Sequence, residues 1–346
     1  MEQTHYFHIF ERKTGGAAAR LFPSVNRLKI TVIGCGRWGS LITWYLDRQG
    51  HEVTLYGRST SPHMKQFLKK RCNDLLRLPQ SVALSTSLES VAEAEVIIVS
   101  VNSQGLRALL EKELLPLGLK NKTLVLCMKG IEIETGKRLS EIVEEILDPS
   151  NRVAVWLGPG HVQEFYAGVP NCMVIDSRHE DTKQRLVEAF SGSLIRFYYG
   201  QDLIGNEIGA AAKNVIGIAA GFLDGLGLST LKGALMSRGT HEIAGLIGSM
   251  GGNPFSAYGL CHLGDYEATV FSKFSHNRQF GESYVKGERY EALAEGYYTA
   301  AALHRLAESY GVDLPICEGV YRVLYLGCDA STEIEALFQR SLKNEF

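Results

Sequence analysis

Residues 28–39 read LKITVIGCGRWG, and this stretch decides the fold. Its first part, Leu28–Ile33, is a short apolar run rich in β-branched residues, which predicts a buried strand. Three glycines follow at the spacing Gly-x-Gly-x-x-Gly, and a helical pattern then continues through Leu46. A strand that passes through a glycine-rich turn into a helix is the first unit of a doubly wound α/β sheet.

The glycine turn also predicts a binding site for a dinucleotide. Gly34 permits the tight turn, Gly36 lets the backbone approach a pyrophosphate, and Gly39 lets the helix pack closely on the strand. Glycines also serve plain tight turns, but their position between a strand and a helix favours a cofactor site. NADP is slightly favoured over NAD, because Arg58 follows the second strand where an acidic residue would bind ribose hydroxyls. The alternative for Arg58 is a solvated loop arginine that stacks on adenine.

Further short apolar runs, separated by helical stretches, extend the parallel sheet. These runs lie at 52–56, 96–101, 123–128, 153–157, 172–175 and 194–199. After about Asp202 alanine, glycine, leucine and glutamate recur at helical spacing. Helices are predicted there at 205–223, 231–250, 290–310 and 334–342. The predicted fold is α/β plus all-α: an N-terminal extension (1–27), a Rossmann domain with a doubly wound parallel sheet (28–203) and a C-terminal helical domain (204–346).

The composition excludes several classes of protein. Of the 346 residues 45% are hydrophobic, and 36 basic side chains balance 38 acidic ones, so neither disorder nor a general affinity for nucleic acid or membranes is expected. No apolar run is long enough for a transmembrane helix. The seven cysteines form no CxxC pair, which argues against disulfides or a zinc site and favours a reducing, cytoplasmic location. No other spacing resembles a metal site, and a homodimer is the default assembly.

Three charged residues are candidates for catalysis. Lys129 follows an apolar strand at its carboxyl end, the edge where open α/β sheets bind ligands. Lys213 lies in a helix of very small residues, so we expect it to be buried. Burial beside a second cation would lower its pKa and suit it for general acid–base catalysis. Asp265 is a carboxylate that could pair with Lys213. It lies at the start of a polar stretch, which could equally be a solvated turn. The alternative for both lysines is a side chain that reaches solvent.

Seven motifs run along the chain in a fixed order. They are GxGxWG at 34–39, MKGIExETG at 128–136, GPxHxxE at 158–164, IGxExGxAxKNVIxIxxGxxDGLG at 204–227, ALMxRG at 234–239, LGD at 263–265 and SxNRxFG at 275–281. This order and spacing resembles the NAD(P)-dependent glycerol-3-phosphate dehydrogenases over nearly the whole chain after the extension. The chain is therefore identified as a divergent member of that family.

The resemblance implies hydride transfer between a nicotinamide and C2 of glycerol 3-phosphate or dihydroxyacetone phosphate. It implies that Lys213 is the proton donor and acceptor at the C2 oxygen, and that Lys129 and Asp265 complete the catalytic set. The implied substrate contacts are Lys129, Gly158, Lys213, Asn214, Asp265, Thr269, Ser275, His276 and Asn277. The implied cofactor contacts are Gly34, Gly36, Arg37, Trp38, Gly39, Arg58, Lys129, Val162, His276, Leu293 and Glu295.

The chain departs from the family pattern around this expected site. His276 stands where the family usually has the arginine that binds phosphate, and imidazole is shorter and only partly charged at neutral pH. Arg278 or Lys273 is the expected substitute, and His276→Arg is expected to lower the KM for substrate. Gly160 and His161 lie where the family has Gly-Pro-Ser/Thr-x-Ala, which removes a hydroxyl and adds bulk.

Three functions are compatible with these residues. The first is a glycerol-3-phosphate dehydrogenase. The second is a relative that reduces a different small ketone or phosphorylated ketone. The third is a catalytically silent protein that binds the nucleotide as a sensor or scaffold. The retained Lys129, Lys213 and Asp265 argue against the third, because binding alone does not need them.

Overall fold

The computed structural model describes residues 27–342 and 344–345. The predicted extension, residues 1–27, therefore lies outside the described residues except for Arg27. The described chain forms an open sheet covered by helices, followed by a bundle of helices. The predicted fold class is confirmed.

Eight strands form one sheet in the order β3-β2-β1-β4-β5-β6-β7-β8. The strands are β1 (Lys29–Ile33), β2 (Glu52–Tyr56), β3 (Ala83–Ser85), β4 (Val96–Val99), β5 (Thr123–Leu126), β6 (Arg152–Leu157), β7 (Asn171–Asp176) and β8 (Ile195–Tyr199). Strands β1 to β6 pair in parallel, β7 pairs antiparallel with β6, and β8 pairs in parallel with β7. The parallel part is buried on both faces, which explains its continuous apolar runs.

Within residues 27–342, seven helices follow the strands of the sheet. They are α1 (Arg37–Arg48), α2 (Pro62–Lys70), α3 (Glu89–Glu93), α4 (Leu106–Leu109), α5 (Leu139–Ile146), α6 (Val162–Tyr166) and α7 (Glu180–Phe190). Short π and 3-10 turns continue α4 to Leu117. Each face of the sheet has its own apolar cluster: Ile30 and Ile98 pack on one side, and Ile97 and Val99 on the other.

The helical half is built around one long central helix. Its helices are α8 (Leu203–Gly225), α9 (Lys232–Ser249), α10 (His276–Val285), α11 (Glu295–Tyr310), α12 (Pro315–Leu326) and α13 (Ala330–Phe338). Helix α8 is buried along most of its length, because its alanines and glycines let neighbouring elements approach from all sides. Across the described residues, no helix combines the length and hydropathy that a membrane crossing requires.

Several element boundaries differ from the sequence predictions. Strand β3 was missed, because it has only three residues and lies half-exposed at the sheet edge. Helix α10 begins within the polar stretch predicted as a loop, because the Ser275 hydroxyl caps it by accepting from the Arg278 backbone N–H at 3.3 Å. Helix α12, which starts at Pro315, was also missed. The last helix begins at 330 and not at 334, since Asp329 caps it.

Candidate active site

The glycine turn between β1 and α1 has the geometry that its three predicted roles require. Gly34 has φ +118°, and a Cβ there would lie 2.0 Å from the Ser100 carbonyl oxygen. A Cβ on Gly39 would lie 2.0 Å from the carbonyl oxygen of Gly34, so helix and turn touch through their backbones. A Cβ on Gly36 would meet nothing within 4 Å. The space beside Gly36 is therefore open to a ligand.

Lys129, Lys213 and Asp265 form one charged cluster, as the sequence predicts. The Lys129 Nζ lies 2.6 Å from the Asp265 Oδ2 and also donates to the carbonyl oxygen of Gly158 at 2.6 Å. The Lys213 Nζ lies 2.9 Å from the same Oδ2 and donates to the Thr269 hydroxyl at 2.7 Å. The carboxylate is 1% exposed, so two ammonium groups share one buried anion.

The pKa of Lys213 in this cluster is lowered from 10.5 to about 8. Burial is the largest cause, because the ammonium loses its water. Asp265 opposes the shift and the positive charge of Lys129 adds to it. Lys213 is thus a buried amine that can exchange a proton near neutral pH.

Polar side chains from α8 and α10 extend this cluster. The Asn214 amide donates to the Lys129 carbonyl oxygen at 3.1 Å and accepts from the Asn277 amide at 3.0 Å. The Asn277 Oδ1 in turn accepts from the Gly296 backbone N–H at 2.9 Å. The Thr269 hydroxyl donates to the Asp265 carbonyl oxygen at 2.7 Å, which directs a lone pair of its oxygen toward Lys213.

Glu295 connects the first turn of α11 to the sheet half. Its Oε2 accepts from the Ser103 hydroxyl at 2.6 Å, and burial raises the pKa of the carboxyl group. Trp38 lies half-buried with its ring 6.0 Å from that of Phe165, and Val162 is buried nearby in α6. Ser103 was not predicted from the sequence, because a serine after a strand is not distinctive.

His276 contacts the glycine turn across the cleft between the two halves. Its Nε2 lies 2.8 Å from the Arg37 Nη1, and its Nδ1 lies 2.6 Å from the Tyr290 hydroxyl. Arg278 does not reach this place, because its Nη1 lies 2.8 Å from both Asp224 and Glu282. The expectation that Arg278 replaces the missing arginine is therefore wrong. Its charge is already paired inside the helical half.

His161, which the sequence predicts only to add bulk, is a polar residue near the charged cluster. Its Nε2 is buried and has no hydrogen-bond partner among the described residues. Burial lowers the pKa of its ring, and the charges of Lys213, Asp265 and Lys129 act on it as well. A Cβ on the preceding Gly160 would lie 2.2 Å from the Phe165 ring, so the loop depends on glycine there.

Two predicted cofactor residues lie outside this network. Arg58 and Leu293 both have exposed side chains. Lys273, the other expected substitute for the arginine, is exposed with its Nζ 5.5 Å from the centre of the Phe274 ring. In residues 27–342 and 344–345, no group of three histidine, cysteine or acidic side chains is placed to hold a metal ion.

Comparison with known proteins assigns both halves to one family. Residues 29–183 match the family described as NAD-dependent glycerol-3-phosphate dehydrogenase N-terminus, and residues 202–335 match the corresponding C-terminus. A glycerol-3-phosphate dehydrogenase [NAD(P)+] of Chlorobium limicola is 34% identical over 92% of this chain and 99% of its own. The enzyme of Prosthecochloris aestuarii is 36% identical over 91% of this chain.

Solved structures give the same result. The crystal structure of glycerol-3-phosphate dehydrogenase from Coxiella burnetii superimposes with a TM-score of 0.84 at 27% identity, and covers 92% of this chain and 100% of its own. The yeast enzyme, at 19% identity and a TM-score of 0.74, shares the fold. Because the chain has the glycine turn and the lysine cluster, and because its relatives match both halves, it belongs to the NAD-dependent glycerol-3-phosphate dehydrogenase family.

Proposed function

We propose that the protein catalyses the reversible, NAD(P)-dependent reduction of dihydroxyacetone phosphate to glycerol 3-phosphate, with Lys213 as general acid and base. The observation that carries the mechanism is the buried Lys213 ammonium held against Asp265, with a pKa of about 8. The family assignment supports the reaction. The protein is accordingly an oxidoreductase.

The glycine turn fits a nicotinamide dinucleotide. Tight backbone contacts at Gly34 and Gly39 hold strand and helix together, while the open space at Gly36 admits a pyrophosphate. When bound, the nicotinamide supplies or accepts the hydride at C2.

Lys213 donates and accepts the proton at the C2 oxygen. In the direction of reduction its ammonium donates a proton to the oxygen as negative charge develops there, and in oxidation the neutral amine removes that proton. Asp265 and Thr269 hold the Nζ in place from two sides. Lys129 adds a second positive charge near the developing oxyanion.

The test is dihydroxyacetone phosphate-dependent oxidation of NADH or NADPH by the purified protein, followed at 340 nm with dihydroxyacetone and other small ketones beside it. We expect turnover that depends on the phosphate ester. Turnover of a different ketone alone would reassign the substrate. Normal cofactor binding without any turnover would reject the enzyme.

A preference for NADP is part of the proposal and is supported by Arg58, which lies exposed just after β2. A guanidinium there can pair with a 2′-phosphate. We expect Arg58→Ala to raise the KM for NADPH several-fold and to leave the KM for NADH unchanged. A lower KM for NADH than for NADPH in the unchanged protein would contradict the preference.

We also propose that residues 28–203 bind the cofactor and residues 204–346 complete the substrate site. A cytoplasmic homodimer is the expected form, since the seven cysteines are unpaired and dimers are the commonest enzyme assembly. Light scattering of the purified protein tests the dimer.

A further inference from the structure

Arg37, His276 and Tyr290 form a chain of hydrogen bonds across the cleft. An arginine N–H only donates, so the His276 Nε2 must accept from Arg37. The ring proton of the neutral imidazole then sits on Nδ1 and is donated to the Tyr290 oxygen. The Tyr290 hydroxyl donates to the Gln279 Oε1 at 3.3 Å. Because each hydrogen bond of this chain runs in one direction, the guanidinium is held in a defined position.

Arg37 keeps its positive charge unneutralised at this place. Its one hydrogen-bond partner in the described part of the chain is an uncharged ring, and no described carboxylate lies within ion-pair distance. Two of the other candidate cations differ in this respect. Arg278 is held by Asp224 and Glu282, and Lys129 by Asp265.

The contact also links Arg37 to the polar residues that extend the charged cluster. His276 precedes Asn277, whose amide bonds to Asn214, and Asn214 bonds to the backbone of Lys129. An exposed arginine offers several parallel N–H donors, the arrangement that suits a phosphate group. The guanidinium keeps donors free for a ligand, because one terminal nitrogen alone bonds to His276.

We propose that Arg37 binds the phosphate group of the substrate and that His276 is its positioning residue. This rests on the proposed function and assigns the phosphate to a side chain of the glycine turn. The backbone amides of that turn face the pyrophosphate of the cofactor. The Arg37 side chain leaves the turn and crosses to α10, the helix that also carries Asn277.

The first experiment removes the guanidinium. We expect Arg37→Ala to raise the KM for dihydroxyacetone phosphate roughly 10- to 100-fold, the loss expected for charge-assisted hydrogen bonds. The kcat should change little, and the Kd for NADH, measured by nicotinamide fluorescence, should stay within about twofold. The matched control is Arg48→Ala, which removes the same charge from the far end of α1, about 16 Å away.

An unchanged KM in Arg37→Ala would overturn the proposal, and so would a loss confined to NADH binding, which would assign Arg37 to the pyrophosphate. Wild-type protein that does not turn over dihydroxyacetone phosphate would instead reject the proposed function, so the two failures are distinguishable.

The second experiment tests positioning by His276. His276→Ala should raise the substrate KM in the wild type but not in the Arg37→Ala background, because it acts through Arg37. His276→Gln should restore most of the affinity, since its Oε1 can accept from Arg37 as the imidazole nitrogen does. Equal effects of His276→Ala in both backgrounds, or no rescue by glutamine, would show that His276 does not position Arg37.

The same contact changes the expectation for His276→Arg. In the wild type this substitution would put a second guanidinium beside that of Arg37, because the Arg37 Nη1 lies 2.8 Å from the imidazole that is replaced. The two positive charges would repel each other. We therefore expect no fall in KM from His276→Arg alone, and a clear fall when it is added to Arg37→Asn. An equal fall in both backgrounds would mean that the two side chains do not share one phosphate site.

Discussion

The proton chemistry proposed for Lys213 rests on burial, which makes its ammonium unusually acidic. With a pKa of about 8, the protonated fraction falls as the pH rises through that value. The rate of ketone reduction, which needs the ammonium, should fall above pH 8, and the rate of alcohol oxidation, which needs the amine, should rise. Profiles of kcat against pH in both directions test this. Inflections near 10.5, or none, would contradict it.

Removing the amine should abolish the reaction and leave the fold. We expect Lys213→Met to lower kcat by about 10²- to 10⁴-fold, the usual contribution of a general acid. Asp265 keeps Lys129 as a partner, so the carboxylate is not left alone. The control is Lys232→Met, because Lys232 is as buried as Lys213 but pairs with Asp224. If both variants lose activity equally, the loss is structural.

Among the described residues the His161 Nε2 has no hydrogen-bond partner, and this predicts a conflict between stability and function. A buried polar atom without a partner destabilises a protein by about 1–3 kcal/mol. We expect His161→Leu to raise Tm and at the same time to raise the substrate KM or lower kcat, because the charges of the lysine cluster act on this ring. Calorimetry and steady-state kinetics on one preparation test both. A higher Tm with unchanged kinetics would show that the nitrogen has no ligand.

At the scale of elements, the site depends on close contact between α8 and α10. A Cβ on Gly221 would lie 2.1 Å from the Arg278 carbonyl oxygen, and one on Gly281 would lie 2.2 Å from that of Ile218. The two helices therefore touch through their backbones. This contact sets the distance between Lys213 on one helix and His276 on the other.

Gly221→Ala should separate these helices. We expect a loss of about 1–3 kcal/mol in the free energy of unfolding, typical of an overpacked core, together with a higher substrate KM. The control is Gly233→Ala in α9, where a Cβ would meet nothing within 4 Å. That variant should be as stable as the wild type or slightly more so. Denaturant unfolding and substrate titration distinguish the two.

The elements and contacts that could be predicted from the sequence are those that local patterns mark. The buried strands of the sheet and the Lys213–Asp265 pair were predictable, because apolar runs and a lysine among tiny residues are local signals. The bond between Arg37 and His276 joins residues 239 positions apart, and no local pattern marks it. Helix α10 was not predicted, because its first turn, near Ser275, has the polar composition of a loop.

At the scale of the whole molecule, a buried ion pair joins the two halves. The Arg138 Nη1 lies 2.6 Å from the Glu207 Oε2, and both backbone and hydroxyl of Ser140 donate to the same carboxylate. Arg138 precedes α5 in the sheet half and Glu207 belongs to α8. Burial raises the pKa of Glu207, whereas Arg138 and Ser140 favour its charged form.

Breaking this pair should destabilise the whole molecule. We expect Arg138→Met to cost about 3–5 kcal/mol in the free energy of unfolding, because Glu207 would keep a buried charge without its partner. The double variant with Glu207→Leu should recover part of the loss. Arg185→Met, which breaks the exposed pair with Glu95, should change stability by less than about 1 kcal/mol. Equal losses in the buried and exposed variants would contradict this account.

The reversed direction of β7 decides where Lys213 can lie. Because β7 runs against β6, the chain leaves β8 at the edge of the sheet opposite the glycine turn. Helix α8 then starts beside Asp176, which accepts from the Asn206 amide at 2.8 Å, and returns toward the cofactor edge. Ten residues, about 15 Å of helix, carry the chain from Leu203 to Lys213. With β7 parallel to the rest, the same helix would start at the edge of the glycine turn and carry its amine away from that edge. A single change of strand direction therefore supplies the return path that brings Lys213 back toward the turn.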